Sequence, residues 1–342
     1  MALAEEMVLA GKYVREALTR YEAEVDDPVY PEYWAYEGQY HQAVGDLSFG
    51  EVDIAKSRID FTGRAIDYEG KGTVIPLANY GISQDKYKTV TGVLAAEWTW
   101  RELRAEETSR GNEYMTNIDT VATYRSGLEK GLREWMHYKA IFGEQIGTDS
   151  FGGLLTNPFL EVINVPVADN GITGTGADAD SAYDWFLQET TNFAKASKLT
   201  AEGTAIITDI DVMAGLRKRF ANNTSDGTAL GLITGRTGNS SDSALVRTVN
   251  RVNEFSGDAV RDPEIGNRTT LGGVPVAADA DLLLMLDADV QNNLKRHFAD
   301  VQVMPVYTPD GGLTYRQVGM CATSEVILSK PFCARLYVLN KS

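Results

Sequence analysis

From Asn112 to about Phe142 the chain runs without a proline, and apolar side chains return at three- and four-residue spacing. Ile118, Val121, Ala122, Leu128, Leu132, Trp135, Met136 and Phe142 fall on one face, the pattern of a single long amphipathic helix. At 1.5 Å per residue such a helix is roughly 45 Å long. A helix of that length in a chain of this size acts as a strut, so the fold has to be arranged around it. Gly127 and Gly131 each cost about 1 kcal/mol against Ala inside a helix. They read as places of close backbone approach, or of a bend. Just upstream, Thr99 and Glu102 form a capping-box pair that starts a shorter helix, and Gly111 ends it. Downstream comes a glycine-rich turn, Phe151-Gly152-Gly153-Leu154-Leu155-Thr156-Asn157-Pro158.

The chain has 342 residues, 43% of them hydrophobic, which is enough for a substantial core in two domains or one elaborate one. Its formal net charge is −16. That balance argues against a surface built to neutralise nucleic-acid phosphates, and it favours solubility. Cys321 and Cys333 are the only cysteines, lie in apolar strand-like surroundings and read as buried reduced thiols. Glu5 and Glu6 stand where a signal peptide carries positive charge, and no apolar run reaches the 18 or so residues of a membrane span. The expectation is a soluble protein made in a reducing cytoplasm.

Before the strut, residues 1–45 read as an amphipathic helix followed by the extended segment Pro28-Val29-Tyr30-Pro31-Glu32-Tyr33-Trp34. Prolines at that density suit neither a helix nor a central strand, so the segment reads as an arm lying against another surface. Residues 50–96 read as a β-hairpin turning at Gly70-Lys71-Gly72, too polar to be buried on both faces and so projecting. After the strut, residues 160–167 read as a strand and 169–181 as a loop. Residues 182–299 read as a compact α/β unit. Its helices are expected near 183–197, 212–220, 244–255 and 290–298, and its strands at 204–208, 274–277 and 282–286. The tail from Val301 to Leu339 is strand-rich.

Catalytic chemistry finds little support. His41, His137 and His297 are scattered, without a second ligand at helical spacing. Asp178, Asp180 and Asp184 suggest a calcium loop, but the required glycine and terminal glutamate are missing, leaving a solvated acidic loop. Gly171–Gly176 has the wrong spacing for a dinucleotide turn, and Gly231–Gly238 lacks the ending of a phosphate loop. No nucleophile elbow and no His-Glu-x-x-His helix is present. No metal, cofactor or catalytic residue is assigned.

The order of parts resembles the tailed-bacteriophage major capsid protein family, whose fold bacterial encapsulin shells share. The resemblance is carried by Trp98-Thr99-Trp100-Arg101-Glu102-Leu103, the Arg110-Gly111-Asn112 break, the strut ending at Gly143 to Gly147 and the Phe151–Pro158 turn. Leu282–Asp287, Val318-Gly319-Met320 and Lys330-Pro331-Phe332 add to it. It covers nearly the whole chain as an order of elements and about a fifth of it as literal motif.

That resemblance implies an α+β fold. Its parts would be an N-terminal arm (1–50), an extended hairpin loop with flanking strands (51–97) and a peripheral domain with the spine helix (98–167). An axial α/β domain (168–299) and a β-rich return to the peripheral domain (300–342) complete it. It implies a non-enzymatic major capsid protein that self-assembles as pentamers and hexamers into an icosahedral shell around a double-stranded DNA genome. The chain would assemble in the host cytoplasm and reside in the virion capsid, with non-specific proximity to DNA and no membrane partner. Separate scaffolding, portal and decoration proteins are further partners of such shells. With fewer than about 50 residues before the hairpin, a fused scaffolding segment is not expected. Arg64 and Lys71 on the hairpin, with Tyr33 and Trp34 on the arm, are the candidate inter-subunit contacts. Lys71 reads as ordinary turn chemistry, not as a covalent crosslinking site. Two alternatives stand beside this reading: an encapsulin-type compartment shell, and an acidic α/β enzyme or ligand-binding protein with its pocket in residues 182–299.

Overall fold

The computed structural model describes residues 42–62, 79–109, 120–146, 149–199, 201–220, 227–235, 245–287, 294–309, 311, 313–328 and 333–341. In chain order, β1 is Gln42–Val44, β2 Asp53–Thr62, β3 Asn79–Thr99, α1 Trp100–Ser109 and α2 Thr120–Phe142. Then come β4 (Glu144–Ile146), β5 (Asp149–Phe151), β6 (Glu161–Val165), α3 (Ala179–Ala196), β7 (Gly203–Thr208), α4 (Ile210–Leu216) and α5 (Ala229–Ile233). They are followed by β8 (Thr248–Arg251), α6 (Gly257–Arg261), β9 (Thr270–Leu271), β10 (Val274–Pro275) and β11 (Asp281–Asp287). The last strands are β12 (Leu294–Val303), β13 (Thr314–Ser324), β14 (Ile327–Leu328) and β15 (Ala334–Leu339). The fold is α+β. The chain divides into a smaller unit, residues 1–32, 92–133 and 301–320, and a larger one, residues 33–91, 134–300 and 321–342. β3, α2, β12 and β13 each run through both.

The larger unit is organised by a five-stranded mixed sheet in the order β6-β15-β11-β7-β8. β11 runs antiparallel to both β7 and β15, whereas β8 is parallel to β7 and β6 parallel to β15. Side chains alternate along a strand, and here both faces are covered. Leu282, Leu284, Leu286, Leu336 and Val338 enter one core with Phe142, Leu155, Phe255 and Leu271. Leu283, Met285, Tyr337 and Leu339 enter the other with Phe186 and Phe193 of α3, Leu216 of α4 and Ile233 of α5. The helices are locally specified. Asp178 and Ser181 form a reciprocal capping box at the start of α3, each side-chain oxygen accepting the other's backbone N–H at 2.8 and 2.9 Å. Asp178 is thus a helix cap, and that bond to the Ser181 N–H holds its carboxyl below the usual range.

Two expected helices are strands. Residues 248–251 of the expected 244–255 helix form β8, because pairing with Ala205–Thr208 of β7 satisfies their backbone. Val290, Leu294 and Phe298 mimic helical spacing, yet β12 begins at Leu294 and burial alternates there, with Leu294 and Arg296 inside. Period two won over period four because β1 and β14 both pair with this stretch. The expected strand 274–277 shrinks to Val274–Pro275.

The long helix is present over Thr120–Phe142; its expected start at 112–119 lies outside the described residues. Leu128, Leu132, Met136 and Ala140 form its buried stripe, whereas Val121 and Ala122 are exposed and Trp135 is half-buried. Gly131 is a close approach, since a Cβ there would press on the Leu94 side chain, while Gly127 faces open space. Gly143 ends the helix at φ 63°. The glycine-rich turn then folds back on that end: Leu154 and Leu155 N–H groups donate to the Ala140 and Ile141 carbonyls at 2.7 and 2.8 Å. The Thr156 hydroxyl donates to the Phe142 carbonyl and accepts from Gly153 N–H, both at 2.9 Å. A Cβ on Gly143 would overlap the Phe151 carbonyl oxygen and the Gly153 nitrogen. Gly143→Ala therefore combines left-handed strain with a backbone clash, and it should lower the unfolding free energy by about 3 kcal/mol or more in denaturant titration.

Candidate assembly surfaces

Within the larger unit, β2 and β3 form an antiparallel ladder from Asp53↔Lys88 to Thr62↔Asn79. This is the expected hairpin; its turn, residues 63–78, lies outside the described residues. At the hairpin root, Thr89 N–H donates to the Val52 carbonyl at 2.9 Å, and its hydroxyl donates to the Glu51 carbonyl.

The root is fixed to the body by Glu325, where β13 ends. Its Oε2 accepts from Lys88 N–H at 3.0 Å and its Oε1 from Gly152 N–H at 2.8 Å. Its own N–H donates to the Lys88 carbonyl at 3.0 Å, and the next residue, Val326, donates to the Gly152 carbonyl at 3.1 Å. The Asn157 side chain completes the junction, with Nδ2 donating to the Val326 carbonyl at 2.6 Å and Oδ1 accepting from Phe159 N–H at 2.9 Å. One carboxylate thus holds hairpin, glycine-rich turn and β13 together. Beyond it a cavity of about 300 Å³ opens between Gln84–Tyr87 and Pro158–Phe159. The glycine-rich turn was legible from its sequence; Glu325 was not, because an isolated Glu before an apolar pair carries no local signal.

In the smaller unit, Trp98 is the organising side chain. It is buried and stacks on Tyr124 of α2 at 5.4 Å and on Tyr315 of β13 at 6.4 Å, with ring planes within 10° and 13°. The sequence read Thr99 and Glu102 as a cap, and Glu102 Oε2 does accept from Thr99 N–H at 2.7 Å. Arg316 makes a two-pronged contact to Glu97 Oε2, at 2.9 and 2.5 Å, fully on the surface. Around this small core the apolar side chains face outward. Among the described residues, eight of the fourteen exposed large apolar side chains belong to this smaller unit. Leu313 is 71% exposed, Val93 62% and Trp100 46%, and the Trp100 N–H donates to the Leu313 carbonyl at 3.0 Å. Exposed apolar residues scattered singly are ordinary, whereas a contiguous patch is what marks an interaction surface.

A charged cluster sits at one end of the central sheet. Asp209 caps α4, Asp281 opens β11, and Lys341 Nζ lies 2.6 Å from Asp211 Oδ2 and 2.7 Å from Asp281 Oδ1. Three carboxylates converge here, and the lysine supplies their positive charge. Burial, reinforced by the Asp209 charge and opposed by Lys341, pushes the Asp281 carboxyl up to about 6. A second buried pair joins His137 Nε2 of α2 to Glu254 Oε1 at 3.1 Å. Burial raises the Glu254 carboxyl, but the bond and charge of His137 outweigh it and leave it below the usual range. Cys321 and Cys333 are buried thiols outside any disulfide, as expected. Arg64, Lys71, Tyr33 and Trp34 all lie outside the described residues.

No family model and no curated protein matches the sequence. Solved structures do match it over nearly its whole length. A chain of the capsid of Myoviridae phage XM1 superposes with a TM-score of 0.70 at 12% identity, covering 95% of this chain and 97% of that one. The capsid of a native GTA particle gives 0.57 at 11% identity, covering 94% and 95%. The capsid of cyanophage P-SCSP1u gives 0.55 at 12% identity, covering 95% and 93%. The chain has the tailed-phage major capsid fold. At such identities almost no side chain is shared by descent that a sequence comparison would detect, so the likeness is one of backbone path. Among the described residues, the junction at Glu325 in the larger unit and the stack on Trp98 in the smaller one are two of the side-chain contacts that hold this path.

Two outcomes test these sites. Glu325→Ala leaves the Lys88 and Gly152 N–H groups without their acceptor, which should cost on the order of 3 kcal/mol and speed amide exchange at both positions. The raised Asp281 carboxyl favours the neutral form in the folded state, so its stabilising contribution is complete below about pH 4 and is lost as pH rises through about 6. Asp281→Asn should therefore gain stability relative to wild type, on the order of 2 kcal/mol, between pH 4 and pH 7 in urea unfolding. An unchanged difference at the two pH values would mean that charging this carboxyl carries no penalty.

Proposed function

We propose that this chain is a major capsid protein, assembling as pentamers and hexamers into an icosahedral shell that encloses a double-stranded DNA genome. The observation carrying the reading is the full-length match to phage capsid chains, 95% of this chain against 97% of the XM1 chain. The hairpin and the outward-facing apolar residues of the smaller unit support it, because both are surfaces that copies of the chain would cover. In this reading residues 98–167 with the return 300–342 form a peripheral domain around the spine helix. Residues 168–299 form the axial lobe that meets its copies at the capsomer centre. The hairpin of 51–97 lies across an adjacent subunit, and of the expected arm of 1–50 the part before β1 reaches toward others, since Gln42–Val44 pair with β12 and Leu47 is buried against the body.

Arg64 and Lys71 are the proposed hairpin contacts to acidic residues next door. An exposed ion pair adds only about 0–1 kcal/mol, so these residues set register more than strength. No single interface has to be strong. Each subunit meets several neighbours, and once a ring forms the remaining contacts become effectively intramolecular. The net charge of −16 suits a container, since a wall that gripped duplex DNA would resist its entry and release. Scaffolding, portal and decoration proteins are partners of such a shell.

Electron microscopy of the chain expressed alone or with its neighbouring genes should show closed particles tens of nanometres across. A stable monomer under all assembly conditions would overturn the reading. A cargo enzyme in place of DNA inside the particles would redirect it to an encapsulin-type compartment. Removing residues 60–80 should leave folded subunits that fail to close shells, measured by sedimentation and microscopy; normal particles would remove the hairpin from assembly.

A further inference from the structure

Among the described residues, the outer part of β3 has an open edge. Lys88 donates its N–H to the Glu325 carboxylate and its carbonyl accepts from the Glu325 N–H, both on the side away from β2, whereas the Thr89 N–H bonds toward β2. In an antiparallel ladder this direction alternates residue by residue. Gln84 and Lys86 therefore also turn their N–H and carbonyl groups away from β2. β13 ends at Ser324, so no described strand runs beside them there. What they face instead is the cavity of about 300 Å³, walled by Pro158, Phe159, Glu325 and Val326. A strand edge above a partly apolar cavity is the geometry that accepts an added strand, with the backbone supplying affinity and one side chain filling the hole.

We propose that the segment Tyr33-Trp34-Ala35-Tyr36 of the same chain is that strand, docking its backbone on Gln84 and Lys86 and one aromatic ring against Phe159. Three observations choose this occupant. The first is the tether. The described chain begins at Gln42, which pairs with Lys295; Lys295 pairs in turn with Ile327, next to the cavity-lining Val326. From β1 to the slot beside β3 is about three strand spacings, roughly 14 Å. The six residues from Tyr36 to Gln42 reach up to about 20 Å, and a short linker matched to its span gives the highest effective concentration. The second is chemistry. These four residues are free of proline, so each can donate an N–H, unlike Pro28 and Pro31 upstream, and three of the four are aromatic. The third is charge. Glu32 and Glu37 bracket the segment, and the exposed Lys86 lies on the edge that receives it. Tyr33 and Trp34 thereby gain a partner inside their own subunit, in place of the neighbouring subunit expected from sequence. The arm upstream of them leaves the body from a fixed point beside the hairpin root.

The test uses the full chain. Hydrogen exchange should show the amides of Gln84 and Lys86 at least tenfold slower in wild type than in a variant carrying Tyr33→Ser, Trp34→Ser and Tyr36→Ser. Equal rates overturn the proposal. Source is decided by disulfide trapping, pairing Lys86→Cys with Tyr33→Cys in one variant and with Trp34→Cys in another, since facing residues on adjacent strands fall within disulfide reach. Oxidation should give an intrachain bond in at least one of the two, read as lost thiols at unchanged mass on a denaturing gel. Covalent dimers or ladders place the segment on another copy and overturn the assignment, as does the absence of any bond in both variants. The readouts do not require assembly, so particles with equal exchange rates would sink this proposal alone, and protected amides without particles would sink only the shell reading.

Discussion

The structure depends on a sheet whose central strands have no solvent face. β11 and β15 are buried along almost their whole length, and each successive side chain goes to the opposite core. Apolar burial is worth about 25 cal/mol per Å², and two cores sharing one sheet gain from both sides of every strand. The same arrangement removes freedom elsewhere. α3, α4 and α5 must cover one face, and the end of α2 with the glycine-rich turn must cover the other. The helix that looked like an independent strut is anchored at its C-terminal end because Ala140, Ile141 and Phe142 belong to that second core.

Outside that sheet the described chain is more exposed. Among the described residues the outer hairpin has two strands and an open edge, an arrangement marginal by itself in water. The smaller unit centres on one stacked tryptophan while Leu313, Val93 and Trp100 face outward. Within the larger unit, the Glu325 carboxylate joins the hairpin root to the turn that closes α2.

Much of this was legible residue by residue. The long helix, the Glu102 bond to the Thr99 N–H, the paired strands of the hairpin, the buried cysteines and the strands 204–208 and 282–286 follow from periodicity, capping chemistry and turn composition. The misreadings share a cause. Val290, Leu294 and Phe298 have helical spacing, and residues 244–255 have the composition of a helix, but neighbouring strands satisfied their backbones first. Asp178 looked like a loop acid because its partner, Ser181, declares itself only when the helix behind it is seen.

By itself, then, the sequence determined the long helix, the paired strands of the hairpin and the lack of recognisable catalytic motifs, because these rest on short-range patterns that survive without a partner; the class of fold came through the family resemblance. Tertiary structure alone decided which strands share the central sheet, that β15 inserts between β6 and β11, and that Glu325, Trp98 and Lys341 are the residues that tie distant segments together. The physical reason is range. A periodic pattern is written in neighbouring residues, whereas a hydrogen bond between Lys88 and Glu325 spans 237 positions and leaves no local trace.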